Sequence, residues 1–217
     1  MTKSDRKRRA ILDTAYRLFR EQGFARTSID EITARVGGSK ATIYSYFASK
    51  EELFVECMMA AIENYMSGTL THLDVSRADP HPALSAFGRS VLEFLCSPEQ
   101  LEVRRLMIAE AARSGTGKLL FEKITALRTQ VAAFLSAYMA MGKLRRDDPR
   151  LAADHLGALL EAEILEPLLL QVRQDSPNRH ETALAAQRAV SAFLRAYAAG
   201  APNSASRKRA SRHTRAV

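Results

Sequence analysis

Residues Thr27–Leu53, TSIDEITARVGGSKATIYSYFASKEEL, decide the fold of this chain, because they spell two short helices around a tight turn and the start of a third helix. A serine stands at each predicted helix start, where its hydroxyl can accept a hydrogen bond from a free backbone N–H. These serines are Ser28, Ser39 and Ser49, and the first and last are followed three residues later by Glu31 and Glu52, as in a capping box. Gly37 and Gly38 supply the positive-φ freedom that a tight turn between helices requires. The stretch therefore predicts a helix-turn-helix.

The second helix of this motif, predicted over Lys40–Phe47, carries side chains suited to nucleic acid. It is short and contains Lys, Thr, Tyr, Ser and Tyr. That mixture suits phosphate oxygens and base edges better than a packed core. We therefore interpret it as a recognition helix and expect double-stranded DNA as a partner.

The basic residues of the chain are concentrated near its two ends. The 217-residue chain has a net charge of +8, but residues 1–9 carry +4 and residues 201–217 carry +5, which leaves −1 between them. Basic arms of this kind commonly contact phosphates. From Gly200 onward the chain is mainly Ser, Ala and Arg, so residues 201–217 are predicted to be a disordered basic tail. A solvated tail without a function is the alternative for this segment.

The remaining sequence predicts an all-α fold of about nine helices. Ala, Leu, Arg and Glu dominate, and apolar residues recur at helical spacing between Gly and Pro breaks. The first helix is predicted from about Lys7 to Gln22, and the eighth from Pro149 to about Arg173. We predict a three-helix helix-turn-helix DNA-binding domain over residues 1–50, and an effector-binding and dimerisation domain over residues 51–200.

The residues do not support several other classes of protein. No apolar run approaches the roughly 18 residues of a membrane span, and the basic N-terminus lacks the apolar core of a signal peptide, so a cytoplasmic protein without a membrane partner is expected. Cys57 and Cys96 are interpreted as buried small hydrophobes, and the scattered histidines have no ligand spacing, so no metal or other cofactor is predicted. No nucleophile elbow, phosphate loop or catalytic carboxylate pair is found, so no catalytic residue is assigned and no enzyme is expected.

The order of these signals resembles the TetR family of transcriptional regulators. The matching residues are AYRLFREQGFARTSIDEITARVGGSKATIYSYFASKEELF, Ala15–Phe54, with the G-F-x-x-T-S element, the V-G-x-S-K turn and the Y-x-Y-F-x-S-K-E-x-L close at the family's spacing. The segment VRRLMIAEAARSGTGKLLFEK, Val103–Lys123, is similar to the C-terminal domain of AefR-like members. The resemblance implies a homodimer of nine- or ten-helix subunits, each with a small-molecule pocket.

The resemblance also implies which residues bind DNA. Thr27 and Ser28 would contact phosphates at the start of the second helix, and Lys50 would hold a phosphate at the start of the fourth. The residues implied to face the major groove or its flanking backbone are Ser39, Lys40, Thr42, Tyr44 and Tyr46. Packing inside the protein is the alternative for the two tyrosines, and simple solvation is the alternative for the two lysines. Gly38, Ala41 and Tyr46 depart from the residues common in the family, which leaves open the DNA sequence that is read.

Two further surfaces are predicted in the C-terminal region. The apolar residues expected at a dimer interface on the last two helices are Leu156, Leu160, Ile164, Leu168, Val190, Phe193, Leu194 and Tyr197, with core packing in one chain as the alternative. The residues expected to line an effector pocket, as the resemblance implies, are Phe87, Val91, Phe94, Met107, Phe121, Ile124, Leu127, Arg128, Val131 and Glu163. Glu110, Arg128 and Glu163 are charged positions on apolar helices, so exposure to solvent is their alternative.

These features favour a ligand-responsive repressor. A homodimer would bind a pseudo-palindromic operator and would be released from it by a small, largely apolar effector. The fourth helix would link the DNA-binding residues mechanically to the pocket. A regulator or DNA-organising protein without a small-molecule effector, relying on its basic arms, is the alternative.

Overall fold

Helix-forming stretches separated by Gly, Pro and Ser breaks build an all-α molecule, which confirms the predicted fold class. The computed structural model describes residues 2–76 and 79–199, so the predicted basic tail over residues 201–217 lies outside the described residues. The described helices are α1 Lys3–Arg26, α2 Ile29–Val36, α3 Lys40–Tyr44, α4 Lys50–Thr69, α5 His81–Leu95, α6 Pro98–Arg113, α7 Gly117–Ala140, α8 Pro149–Glu161, α9 Leu165–Leu169 and α10 Arg179–Ala196. A 3-10 turn, Leu70–His72, follows α4.

The predicted serine caps are present at the starts of the N-terminal helices, but the reciprocal hydrogen bonds of the capping boxes predicted at Ser28 and Ser49 are not formed. Ser28 accepts a hydrogen bond from the Glu31 N–H at 3.1 Å, and Ser49 accepts one from the Glu52 N–H at 3.1 Å. Helix α1 begins four residues earlier than predicted because Thr2 and Asp5 form a reciprocal capping box. The first basic residues therefore lie on a helix rather than on an extended arm.

Two predicted helix boundaries are wrong. The recognition helix ends at Tyr44, and residues 45–47 form tight turns that bring Phe47 into the core before α4 begins. The single eighth helix is divided into α8 and α9, so the described residues form ten α-helices. Pro167 explains the division: proline has no N–H to donate, and its ring would collide with the Glu163 carbonyl in a continuous helix.

The buried side chains form two cores that share helices. The first core joins α1–α3 to the first half of α4, and it includes an aromatic cluster of Phe19, Phe24 and Phe54 with ring centroids 5.2–5.8 Å apart. Val103 and Met107 of α6 and Leu120 of α7 complete this core. The second core is formed by α5 and α7–α10, with α10 packed against α5 and α8. The boundary predicted after residue 50 therefore falls within the first turn of α4, a helix that belongs to both cores.

Among the residues that the structure describes, no helix combines the length and the apolar composition needed to cross a membrane.

Candidate functional site

The turn between α2 and α3 fixes the angle at which the recognition helix is presented. Gly37 and Gly38 adopt φ values of 76° and 109°, a region that disfavours side chains of L-residues. Helix α1 is hydrogen-bonded to this turn: Lys7 Nζ donates to the Val36 carbonyl at 3.1 Å and to the Gly37 carbonyl at 2.7 Å. Sequence reasoning missed this contact. The sequence shows only a lysine, Lys7, near the start of α1. The free carbonyls at the end of a helix, here α2, attract such a cation.

The start of α3 is locked by a capping box between Ser39 and Thr42. Ser39 Oγ accepts from the Thr42 N–H at 3.2 Å, and Thr42 Oγ1 accepts from the Ser39 N–H at 3.3 Å. The two hydroxyls lie 3.1 Å apart. Both predicted DNA-binding side chains are thus engaged in forming the helix, and a contact with DNA through them stays a prediction.

One face of α3 is open to solvent, and the other anchors it in the core. Lys40 and Tyr44, one turn apart, are exposed, while Ile43 is buried. Lys40 Nζ lies 2.9 Å from Asp30 Oδ2, and this hydrogen bond raises the pKa of Lys40, which keeps the ammonium charged. The structure therefore brings a cation and an exposed phenol onto the same face of the predicted recognition helix.

Three more of the residues predicted to bind DNA have internal contacts. Thr27 is 1% exposed and its hydroxyl donates to the Gly23 carbonyl at 2.8 Å, so the prediction that this side chain contacts phosphate is wrong. Tyr46 is half-buried, and its hydroxyl accepts from Ser4 Oγ at 3.2 Å. Lys50 Nζ lies 4.3 Å from the centre of the Phe24 ring, and burial lowers the pKa of this lysine. Tyr46 and Lys50 thus join α1 and α4 to the helix-turn-helix.

The first turns of α1 add positive charge beside this surface. Lys3, Arg6 and Arg9 are exposed, and no ion pair joins them to any residue in the described ranges. The Ser4–Tyr46 hydrogen bond holds the start of α1 against the end of α3. Free cations and the exposed face of α3 therefore occupy one end of the molecule.

A cavity of about 400 Å³ lies between α4, α5, α6, α7 and α8. Nine of the ten residues predicted for an effector pocket line it: Phe87, Val91, Phe94, Met107, Phe121, Ile124, Leu127, Arg128 and Val131. Phe121 and Ile108 are 66% and 61% exposed, so they stand where the cavity opens to solvent. Residues named for a pocket on the basis of the resemblance thus line a cavity, although binding of an effector there stays a prediction.

The charged residues of the cavity wall differ from those expected. Glu163 does not line the cavity, because it lies on the surface and holds Arg188 with two oxygens. Glu161 lines it instead and pairs with Arg104, with Nη2–Oε2 at 2.7 Å and Nη1–Oε1 at 3.4 Å. Glu110 is buried but is not part of the wall. The cavity wall contains Glu161 rather than Glu163 because α8 ends at Glu161, so Glu163 lies outside the helix and no longer follows its inward face.

Most residues predicted for the dimer interface are in the protomer core. Leu156, Leu160, Ile164, Leu168, Val190, Phe193 and Tyr197 are at most 7% exposed. The prediction is wrong for these seven side chains, because a side chain already covered within one protomer has almost no surface to offer a second. Leu194 is half-buried. The outward faces of α8 and α10 carry other leucines, Leu151 and Leu184, which are 46% and 38% exposed.

The two cysteines are buried and unpaired. Burial raises the pKa of the Cys96 thiol to about 11 and raises that of Cys57 further, so neither thiol ionises near neutral pH. Their interpretation as small hydrophobic residues fits this burial. No cluster of potential metal ligands occurs within residues 2–76 and 79–199.

Comparison with protein families decides the class of the molecule. Residues 82–199 match the AefR-like transcriptional repressor C-terminal domain, and residues 11–57 match the tetR family of bacterial regulatory proteins. The chain belongs to the TetR family. It is therefore a DNA-binding transcriptional regulator of repressor type and not an enzyme. The resemblance found in Ala15–Phe54 and Val103–Lys123 is confirmed.

Individual TetR-family proteins are similar over most of the chain. The regulator RutR of Escherichia coli K12 is 29% identical over 150 residues, which are 66% of this chain and 67% of RutR. The structure of a TetR-family regulator from Mesorhizobium loti MAFF303099 is 28% identical with a TM-score of 0.77, covering 91% of this chain and 100% of that one. The flavonoid-responsive regulator FrrA is 30% identical with a TM-score of 0.75 over the same shares.

Proposed function

We propose that this TetR-family protein is a homodimeric repressor that leaves its operator when a small, largely apolar molecule occupies the cavity. One observation carries the proposal: Val103, Met107 and Leu120 belong both to the core of the DNA-binding end and to the cavity wall. A molecule that displaces these side chains acts directly on the core that supports α1–α4. Cavity occupancy and the position of the helix-turn-helix are thereby coupled.

Ion pairs between helices extend this coupling. Arg20 of α1 binds Glu99 and Glu102 of α6 at 3.1 and 2.6 Å. Glu56 of α4 binds Arg8 of α1 at 2.8 Å and Lys123 of α7 at 2.6 Å. Helix α6 is therefore bound directly to α1, and α7 is bound to α1 through Glu56 of α4. A ligand that favours one arrangement of these helices by about 1–3 kcal/mol would shift operator affinity roughly 5- to 150-fold.

The short recognition helix supports a dimeric mode of binding. Five helical residues make few base contacts, so useful specificity needs two copies that read half-sites about 34 Å apart. We assign DNA reading to residues 1–50 and effector binding with dimerisation to residues 51–200. The outward faces of α8 and α10 are the surfaces we assign to the dimer.

A cavity-filling substitution tests the proposal. Gly157 of α8 lines the cavity, and a Cβ added there would meet no atom within 4 Å. Gly157→Phe should therefore fill the cavity without a backbone clash, and it should abolish release of the operator by a ligand. FrrA is described as flavonoid-responsive, so a flavonoid aglycone is the first ligand to add in a gel-shift titration.

Gly68→Phe is the matched control, because Gly68 is a helical glycine with equally free space but is not part of the cavity wall. It should keep the ligand response. A Gly157→Phe protein that is released from its operator at the same ligand concentration as the unmodified chain would contradict the proposal. A protein that shows no preference for any sequence over random DNA would contradict its DNA-reading part.

A further inference from the structure

Gln100 is a polar side chain without a partner in the apolar cavity wall. It is 7% exposed and lines the cavity from the first turn of α6. Its backbone N–H is used in the helix cap, donating to Ser97 Oγ at 3.4 Å. Its side-chain amide makes no hydrogen bond to any other residue that the structure describes, and its polar atoms are not completely enclosed by protein, because the residue lines the cavity. A ligand with a matching group would gain a hydrogen bond to this amide in apolar surroundings.

The charges of the cavity wall are already neutralised by protein partners. Arg104 is bound through two hydrogen bonds to Glu161. Arg128 Nη1 lies 2.8 Å from Asp154 Oδ1. A carboxylate or an ammonium group entering the cavity would lose its hydration and find no unpaired counter-charge. The wall therefore favours a molecule without net charge.

The rest of the wall suits aromatic rings. Phe87, Phe94 and Phe121 come from α5 and α7, and the Phe94 ring stacks on Tyr65 with centroids 4.1 Å apart. Aromatic rings pack on one another in offset or edge-to-face arrangements that add to simple burial. The volume of about 400 Å³ is near the lower end of the roughly 300–1,000 Å³ of small-molecule pockets.

We propose that the effector is an uncharged, mainly aromatic molecule that carries a hydroxyl or carbonyl group, and that Gln100 hydrogen-bonds this group and selects it. This inference rests on the proposed function, since it names the ligand class of the same cavity. Gln100 can both donate and accept, so it accommodates either group. The residue that determines specificity thus lies on α6, directly beside Glu99, which binds α1.

Binding of three ring-matched probes to the full chain tests the ligand class. The probes are 2-naphthol, which has a hydroxyl, naphthalene, which has no polar group, and 2-naphthoate, which is an anion. The chain contains no tryptophan, so probe fluorescence can be excited without a contribution from indole. We expect 2-naphthol to bind at least about tenfold more tightly than either analogue, the factor for about one hydrogen bond.

A substitution at Gln100 tests the selecting residue. Gln100→Leu should remove the preference for 2-naphthol over naphthalene while naphthalene binding is kept or becomes tighter. Gln100→Met is a second, unbranched variant for use if the leucine variant unfolds. Gln130→Leu, at an exposed position of α7 outside this cavity, should leave the preference unchanged.

The outcomes separate the ligand class from the proposed function. Tightest binding of 2-naphthoate, equal binding of all three probes, or an unchanged preference in Gln100→Leu would overturn the inference. Operator release by 2-naphthoate would overturn it as well and would leave the ligand-responsive function standing. Selective binding of 2-naphthol that does not weaken the operator complex would support the ligand class and contradict the release mechanism instead.

Discussion

Tyr44 and Tyr46 show how two identical residues in one motif acquire different surroundings. Residues two apart on a helical turn point about 200° away from each other, so both cannot face the same partner. Tyr44 is 48% exposed on the open face of α3. Tyr46 turns back towards α1 and accepts a hydrogen bond from Ser4. Base or phosphate contact is therefore expected from Tyr44 and a supporting role from Tyr46.

Tyr44→Ala should weaken specific operator binding by about 1–3 kcal/mol, the value of one good base or backbone contact, and should leave the melting temperature nearly unchanged. Fluorescence anisotropy with labelled operator and calorimetry measure the two quantities. Tyr46→Phe, which removes only the hydroxyl that Ser4 contacts, should lower affinity less. Equal losses for the two variants would contradict the assignment.

Thr27→Val should have the opposite effect to Tyr44→Ala: it should lower stability and leave operator affinity unchanged. Valine keeps the shape of the buried threonine but removes the hydroxyl that donates to Gly23, so about 0.5–1.5 kcal/mol of stability should be lost. Because the side chain is internal, operator affinity per folded molecule should stay the same. A selective loss of affinity in this variant, at unchanged stability measured by urea unfolding, would restore Thr27 as a DNA contact.

At the scale of elements, α6 is a two-sided helix. One side carries Gln100, Val103 and Met107 into the cavity wall. The other side carries Glu99 and Glu102, which bind α1. Tyr16 of α1 also donates a hydrogen bond to Glu99, at 2.8 Å. Burial and this hydrogen bond raise the pKa of the Tyr16 phenol to about 12, so it stays protonated as a donor. The proposed effector response would use these contacts, through which a shift of α6 would act on α1.

The double variant Glu99→Gln, Glu102→Gln should reduce the extent to which saturating ligand weakens operator binding. These carboxylates are mostly exposed, so the loss of stability should stay within about 1 kcal/mol per pair. Ligand affinity of the free protein should be unchanged, which calorimetry measures beside the gel-shift titration. Glu181→Gln, which breaks a comparable exposed pair with Arg173 far from α1, is the control. An unaltered ligand response in the double variant would exclude this route of coupling.

The elements also show what sequence can and cannot predict. Helical periodicity identified the apolar faces. The resemblance implied a pocket between such faces, and nine of the residues named for it line the cavity. Periodicity does not tell which neighbour covers a face, so Leu160 and Phe193 were assigned to a second subunit although neighbouring helices of the same protomer already bury them. The sequence does not single out Gln100, because its position in the cavity wall depends on how α6 is rotated about its axis.

At the scale of the molecule, Glu56 links three helices from the DNA-binding end to the cavity wall. Burial tends to raise the pKa of its carboxyl, but hydrogen bonds and attraction from Lys123 and Arg8 outweigh burial and lower it below the ordinary 4.5. A carboxyl with a lowered pKa in the folded state adds stability above its unfolded pKa and loses this contribution as the pH falls through the folded value.

Glu56→Gln should therefore lower the free energy of unfolding near neutral pH, and the difference from the unmodified chain should shrink below about pH 4.5. Urea unfolding at neutral pH and at several acidic values measures this. Glu122→Gln is the control, because Glu122 is exposed and lies 3.9 Å from its lysine partner, Lys118. A difference for Glu56→Gln that grows as the pH falls would contradict the sign of the argument.

At the scale of the whole molecule, we propose that specific DNA binding requires a homodimer, because the short α3 helix of one subunit contacts too few base edges. Leu184 is a partly exposed leucine on the outward face of α10. Placing a carboxylate there would require a charge to be buried against the second subunit, so Leu184→Glu should give a monomer by light scattering. Operator affinity should fall at least about 100-fold, because the second head would no longer bind from the same assembly.

Leu170→Glu separates this effect from a general loss of surface hydrophobicity. Leu170 is 67% exposed at the end of α9 and belongs to neither α8 nor α10, so its variant should remain a dimer. A dimeric Leu184→Glu protein with full operator affinity would place the interface elsewhere. A monomeric one that still binds the full operator as tightly as the unmodified chain would mean that five residues of α3 suffice to read DNA. The small number of base edges that such a helix can reach argues against that result.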